Sequence, residues 1–175
     1  GFKTDKLINQ QVNLEVNIKD DGSISNILKV SRKHLGGDLA FDWYNKVNSD
    51  YFRVYAPEDS VYITAQGHTK EKIPDPIDYL KSGFKENANL VNIDGIDIFK
   101  ESGKTVFGTW LYVSPKEEVD YQIEYALPFK IIEDKIYSLY IQKQPGQENN
   151  KISVKINYPN NFIIKEKSDN LTIGP

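Results

Sequence analysis

The chain of 175 residues contains no cysteine and no methionine. Without cysteine there are no disulfides, thiol nucleophiles or thiolate zinc sites, and the redox compartment stays open. Arginine is almost missing, with Arg32 and Arg53 its sole representatives. Recognition of phosphate or carboxylate leans on arginine's bidentate fork, so that class of site is poorly supplied. Histidine is confined to His34 and His68. A metal site or a nucleophile–base pair needs convergent groups at defined spacing, and neither histidine has such a partner nearby. Both read as solvated surface residues. No "GxSxG" elbow is present. No run reaches the roughly 18 apolar residues of a spanning helix, and "GFKTDKLINQ" lacks a signal peptide's apolar centre. The formal net charge of -3 and pI near 5.5 offer no basic face for nucleic acid.

What remains is rich in apolar and aromatic residues, 39% and 12% of the chain, too rich for disorder. A chain of this length buries roughly 70% of the surface it exposes when unfolded, so a full core is within reach. Period-two alternation runs through nearly all of it. In "QVNLEVNI", Val12, Leu14, Val16 and Ile18 fall on one face. "DDGS" marks a turn, and Ile24, Leu28 and Val30 resume the pattern, which predicts a hairpin. "DYFRVYAPEDS" predicts a strand over residues 51–56, with "VYITAQG" as its partner. "LVNIDGIDIFKESGKTVFGTWLYV" predicts two strands around a tight turn at residues 101–104. A proline corner at residues 114–118 leads into "VDYQIEYALP", where Val119, Tyr121, Ile123 and Tyr125 share a face. "KIYSLYIQKQPG" and "KISVKINYP" predict a further pair, and "NFIIKEK" a final edge strand.

The expectation is an all-β fold: one antiparallel β-sandwich domain over residues 1–175, Ig-like or Greek-key in type, with about nine to ten strands. One short helical or irregular insertion is expected at residues 70–87, where "PDP" forbids a strand interior. A second long connection covers residues 35–50.

Three segments together resemble the C-terminal region of the bacterial domain-of-unknown-function family 4012, whose members are envelope-associated. They are "SDYFRVYAPEDS", "GKTVFGTWLYVSPKEEVDYQIEYALPF" and "YSLYIQKQPG", which cover about half the chain between residues 49 and 146. Glu58 and Asp59 stand where the family's first turn carries glycine. The resemblance implies an extracellular, cell-envelope module that follows a membrane anchor and a larger domain. The first residue is glycine rather than methionine, which agrees with excision from a longer protein. Membrane attachment is then expected only through a segment outside this sequence.

Several arrangements suggest chemistry. Glu117, Glu118 and Asp120 flank the proline corner, yet neighbours on a strand point to opposite faces and diverge. Asp94 and Asp97 straddle Gly95 in "NIDGID", a weak match to a calcium loop because the distal glutamate is missing. A lysine–asparagine crosslink could replace the absent disulfides, but Lys155 and Asn157 sit on the wet face of their strand. No cofactor or metal is expected. Trp43 and Tyr44 form the one serious binding motif, with Asp42 and Asn45 beside them in a loop. Rings, an amide and an acid together suit stacking on a sugar while hydrogen-bonding its hydroxyls. The plainer expectation is that the same rings plug the open end of the sandwich. Trp110, mid-strand in "TVFGTWLYV", is expected to pack in the core or on the sheet. The functional expectation is a non-enzymatic surface module for display or protein–protein contact. A carbohydrate-binding module using the Trp43–Tyr44 loop, with a cell-wall glycan as partner, is the alternative.

Overall fold

A computed structural model describes residues 4–69, 81–83, 89–132, 136–140, 150–163 and 166. Among them are nine strands and two short 3-10 turns, and no helix is long and apolar enough to cross a membrane. The strands are β1 (Ile8–Ile18), β2 (Ser23–His34), β3 (Asn48–Pro57), β4 (Val61–Gln66), β5 (Val91–Ile93), β6 (Ile96–Glu101), β7 (Lys104–Val113), β8 (Glu118–Lys130) and β9 (Asn150–Asn157). A five-stranded sheet runs β4-β8-β2-β1-β9, and a four-stranded sheet runs β3-β7-β6-β5. Pairing is antiparallel except between β1 and β9. The two sheets pack face to face, so the fold is the expected all-β sandwich.

Local chemistry sets the turns. Asp94–Gly95 and Ser102–Gly103 both carry two consecutive positive φ angles, the signature of the tight hairpin turns that close β5–β6 and β6–β7. "NIDGID" is therefore a hairpin. The β1–β2 hairpin sets Ile18 opposite Ile24, Leu14 opposite Leu28 and Val12 opposite Val30, so alternation alone fixed its register. At its tip Gly22 has φ of 76°, and its amide and carbonyl serve Lys19 and Ile131. Lys130 and Ser23 donate to the Asp21 carboxylate there and hold its pKa well below the ordinary range.

The core has two parts. Val30, Val54, Ala56, Ile96, Phe107, Leu111, Tyr121, Ile123 and Tyr125 interdigitate between the sheets. The smaller sheet leaves part of the larger one uncovered, where Val16 and Ile24 gather. Ile131, Tyr137 and Phe162 from irregular chain close that part. This corrects the strand expected at "KIYSLYIQKQPG": residues 136–140 are not a strand, and residues 141–149 lie outside the described ones. Tyr137 supplies a lid for the second cluster, and burial pushes its phenol up to about 12. The strand "KISVKINYP", β9, pairs in parallel with β1 instead. "NFIIKEK" forms no strand over residues 161–163. β4 also departs from expectation. It pairs with β8 in the opposite sheet, because the turn after Pro57, with Asp59 at φ of 67°, carries the chain across the sandwich. Of the expected insertion at residues 70–87, residues 81–83 form an exposed turn and the rest lies outside the described residues.

Candidate functional site

The connection from β2 to β3 crosses between the sheets at one end of the sandwich. Its base is polar and buried. Arg32, near the end of β2, pairs with Asp50 and donates to Asn48 Oδ1 at 3.0 Å. Asn48 opens β3 and donates in turn to Thr4 Oγ1 at 2.9 Å and Asp5 Oδ1 at 2.8 Å. Two strands and the start of the chain are thus tied by one side-chain network.

His34 braces the loop above this base. The imidazole is fully buried: Nδ1 accepts from the Gly36 amide at 2.9 Å, and Nε2 faces the Lys46 carbonyl at 2.9 Å. One ring thereby joins the two ends of the loop, and its partners fix the neutral tautomer with the proton on Nε2. Gly36 is obligatory there, since a Cβ would lie 2.1 Å from the Tyr44 carbonyl and 2.7 Å from the imidazole. The backbone of His34 also pairs with Lys116 and Glu117 of the β7–β8 corner. Asn45 holds the middle of the loop: Oδ1 accepts from the Gly37 and Leu39 amides, and Nδ2 donates to the Leu39 carbonyl at 2.8 Å.

With His34 and Asn45 turned inward as braces, the loop presents apolar side chains to solvent. Asp42–Asn45 form a 3-10 turn with no buried residue. Phe41 is 54% exposed and Trp43 45% exposed, and their rings stack at 4.7 Å and 17°. Tyr44 stands edge-on to Phe41 at 6.3 Å. Leu35, Leu39 and Val47 are exposed around them. These residues form one cluster rather than apolar side chains scattered singly. The expectation that Trp43 and Tyr44 plug the sandwich is therefore corrected, because the core is already filled by Phe107, Tyr121 and Tyr125.

Of the four residues singled out in sequence, Trp43, Tyr44 and Asp42 do lie together on the surface, while Asn45 is a structural brace. Phe41 belongs to the cluster too; its place next to "DWYN" was the available signal. The expectation of solvated histidines is overturned for both. His68 is buried, with Nε2 against the Asp94 carbonyl and the ring edge-on to Tyr121 at 6.2 Å. Backbone carbonyls from distant segments receive both rings, which local sequence does not announce.

Three of the acids noted in the sequence have side-chain partners. Asp97 accepts from Tyr51 at 2.7 Å and Asn92 at 2.6 Å. Asp120 accepts from Ser31, and Glu118 lies 3.9 Å from Lys33. A groove of about 430 Å³ beside β1, β2 and β9 has one carboxylate, Glu15, which accepts from Asn157 at 2.7 Å. Lys155 is solvated there, as its strand face implied.

Scans against family models and against curated proteins return no match for this chain.

Proposed function

We propose that this domain is a non-catalytic binding module of a bacterial cell envelope, contacting a protein partner through the loop at residues 35–47. The observation that carries the reading is the outward Phe41–Trp43 stack, with half-buried Tyr44 beside it, on a loop already braced by His34 and Asn45. A braced loop loses little entropy on binding, and exposed aromatic residues make effective anchors. The extracellular setting rests on the resemblance of the "DYFRVYAP", "GKTVFG" and "QKQPG" segments to an envelope-associated family.

A carbohydrate reading of the same loop draws on the exposed Trp43 and the neighbouring Asp42 carboxylate. One feature weighs against it: the Asn45 amide accepts from the Gly37 and Leu39 amides and donates to the Leu39 carbonyl.

The test compares retention of the wild-type domain and a Phe41→Ala/Trp43→Ala variant on envelope fractions. Protease-sensitive retention that the variant loses supports a protein partner. Equal retention of both removes the loop from the reading. Retention by purified wall glycan after proteolysis transfers the loop to the carbohydrate alternative.

A further inference from the structure

The outer face of the four-stranded sheet carries a second aromatic surface, separate from the loop. Outward positions alternate along β3 and β7, and they place Tyr51, Tyr55, Trp110 and Tyr112 on one face. Trp110 is 41% exposed and packs with Tyr51 and Tyr112 on the sheet, one of the two places expected for it, while Phe107 and Leu111, on the opposite face, fill the core. Both faces of "TVFGTWLYV" are apolar because both carry packed side chains.

This face is built, not merely uncovered. Tyr51 lies across β7 above Gly108, where a Cβ would meet the phenol oxygen at 2.4 Å. Glycine weakens a strand interior, and here it admits a ring flat against the sheet. The Tyr51 hydroxyl donates to Asp97, and Asn92 donates to the other oxygen of the same carboxylate. Trp110 follows at 5.3 Å from Tyr51, with Tyr112 near-parallel to it at 5.8 Å and 27°. Further along β3, Arg53 sits 5.5 Å over the Tyr55 ring and donates to Glu101, as does the Tyr55 hydroxyl.

The charges decide the ligand class. Arg53 is neutralised by Glu101, Lys104 stands opposite Glu101 in the ladder, and Asp97 takes its bonds from neutral donors. That leaves no uncommitted guanidinium for phosphate or sulfate, and the carboxylates repel polyanions. Aromatic residues also suit a protein interface, but such an interface depletes carboxylates at its centre, whereas the Asp97 carboxylate sits against Tyr51 within this row. A row of rings interleaved with a carboxylate, an amide and a guanidinium matches a ligand with apolar C–H faces and hydroxyl edges. We infer that the outer face of β3 and β7, centred on Trp110, Tyr51 and Tyr112, binds a neutral polysaccharide chain along its length. The rings supply stacking, and Asp97, whose two oxygens each take one bond from a neutral donor, keeps lone pairs to accept from hydroxyls.

The experiment is electrophoresis of the folded domain through gels containing a neutral soluble polysaccharide, in a panel of β-glucan, xylan and mannan. Wild-type protein should be retarded by at least one of the three, with little dependence on salt. Trp110→Ala should weaken the retardation by about tenfold, the loss of one stacked ring, and Tyr112→Ala should weaken it less. Both positions are solvent-facing, so matched circular dichroism and melting curves will show that the variants are folded. Trp43→Ala should leave retardation unchanged, which separates this site from the loop. No retardation by any of the three overturns the inference. So does retardation indifferent to Trp110→Ala, or retardation found with a sulfated glycan alone.

Discussion

His34 and Tyr51 show how single residues set the two surfaces. His34→Ala leaves the Lys46 carbonyl and the Gly36 amide without their partner in a buried place. Stability should fall by about 3 kcal/mol, read from urea denaturation, since each stranded group costs its desolvation. Glutamine at the same position could restore one of the two bonds and should recover part of that loss. Tyr51→Phe keeps the ring over Gly108 but removes the bond to Asp97, and should cost about 1 kcal/mol in the same assay. A loss near zero would mean that the 2.7 Å contact contributes nothing. The alternation in "TVFGTWLYV" separated Val106, Gly108 and Trp110 from Phe107 and Leu111 correctly. Which set turned inward was not legible, because both sets are apolar and only the partner sheet decides. Likewise, nothing beside His34 or His68 in the sequence reveals that a backbone carbonyl from elsewhere meets each ring.

At the scale of elements, local pairs were readable and distant ones were not. The β1–β2 hairpin follows from alternation and "DDGS", and β6–β7 from the turn at Ser102–Gly103, because both partners lie in one stretch of chain. The partner of β4 is about 60 residues away in β8, and such pairing is chosen by packing rather than propensity. Residues 136–140 carry a strand-like composition, yet Tyr137 is drawn to the cluster around Val16, and no ladder forms. The tip of the first hairpin offers an element-level test. Gly22→Ala would place a Cβ 1.9 Å from the Ile131 carbonyl at a positive φ. It should destabilise the domain by about 2 kcal/mol or more. Amide exchange should quicken at Ile131, whose N–H is bonded to the Gly22 carbonyl. Exchange that quickens only within β1 and β2 would contradict the docking of β8 on this tip.

For the whole molecule, the sandwich encloses tyrosines as well as aliphatic residues, and alkali exposes that dependence. Burial raises the phenol pKa of Tyr121 and Tyr125 above the ordinary 10.0. The folded state therefore keeps protons that the unfolded state releases as pH passes 10. The stability these groups contribute is complete below that value and is lost as pH climbs toward their folded pKa values. The slope is about 1.4 kcal/mol per pH unit for each of the two. Phenolate absorbance should lag behind free tyrosine and then rise together with unfolding; a smooth titration of all tyrosines in the folded domain would contradict it. The filled interior of the molecule is separate from the aromatic surfaces outside it, and this separation is the central claim. It is tested most directly by the urea-denaturation stability of the Phe41→Ala/Trp43→Ala variant. Surface rings on a braced loop predict a loss of about 1 kcal/mol or less. A loss of about 3–5 kcal/mol, the cost of deleting a core aromatic ring, would make these rings part of the core and contradict the account.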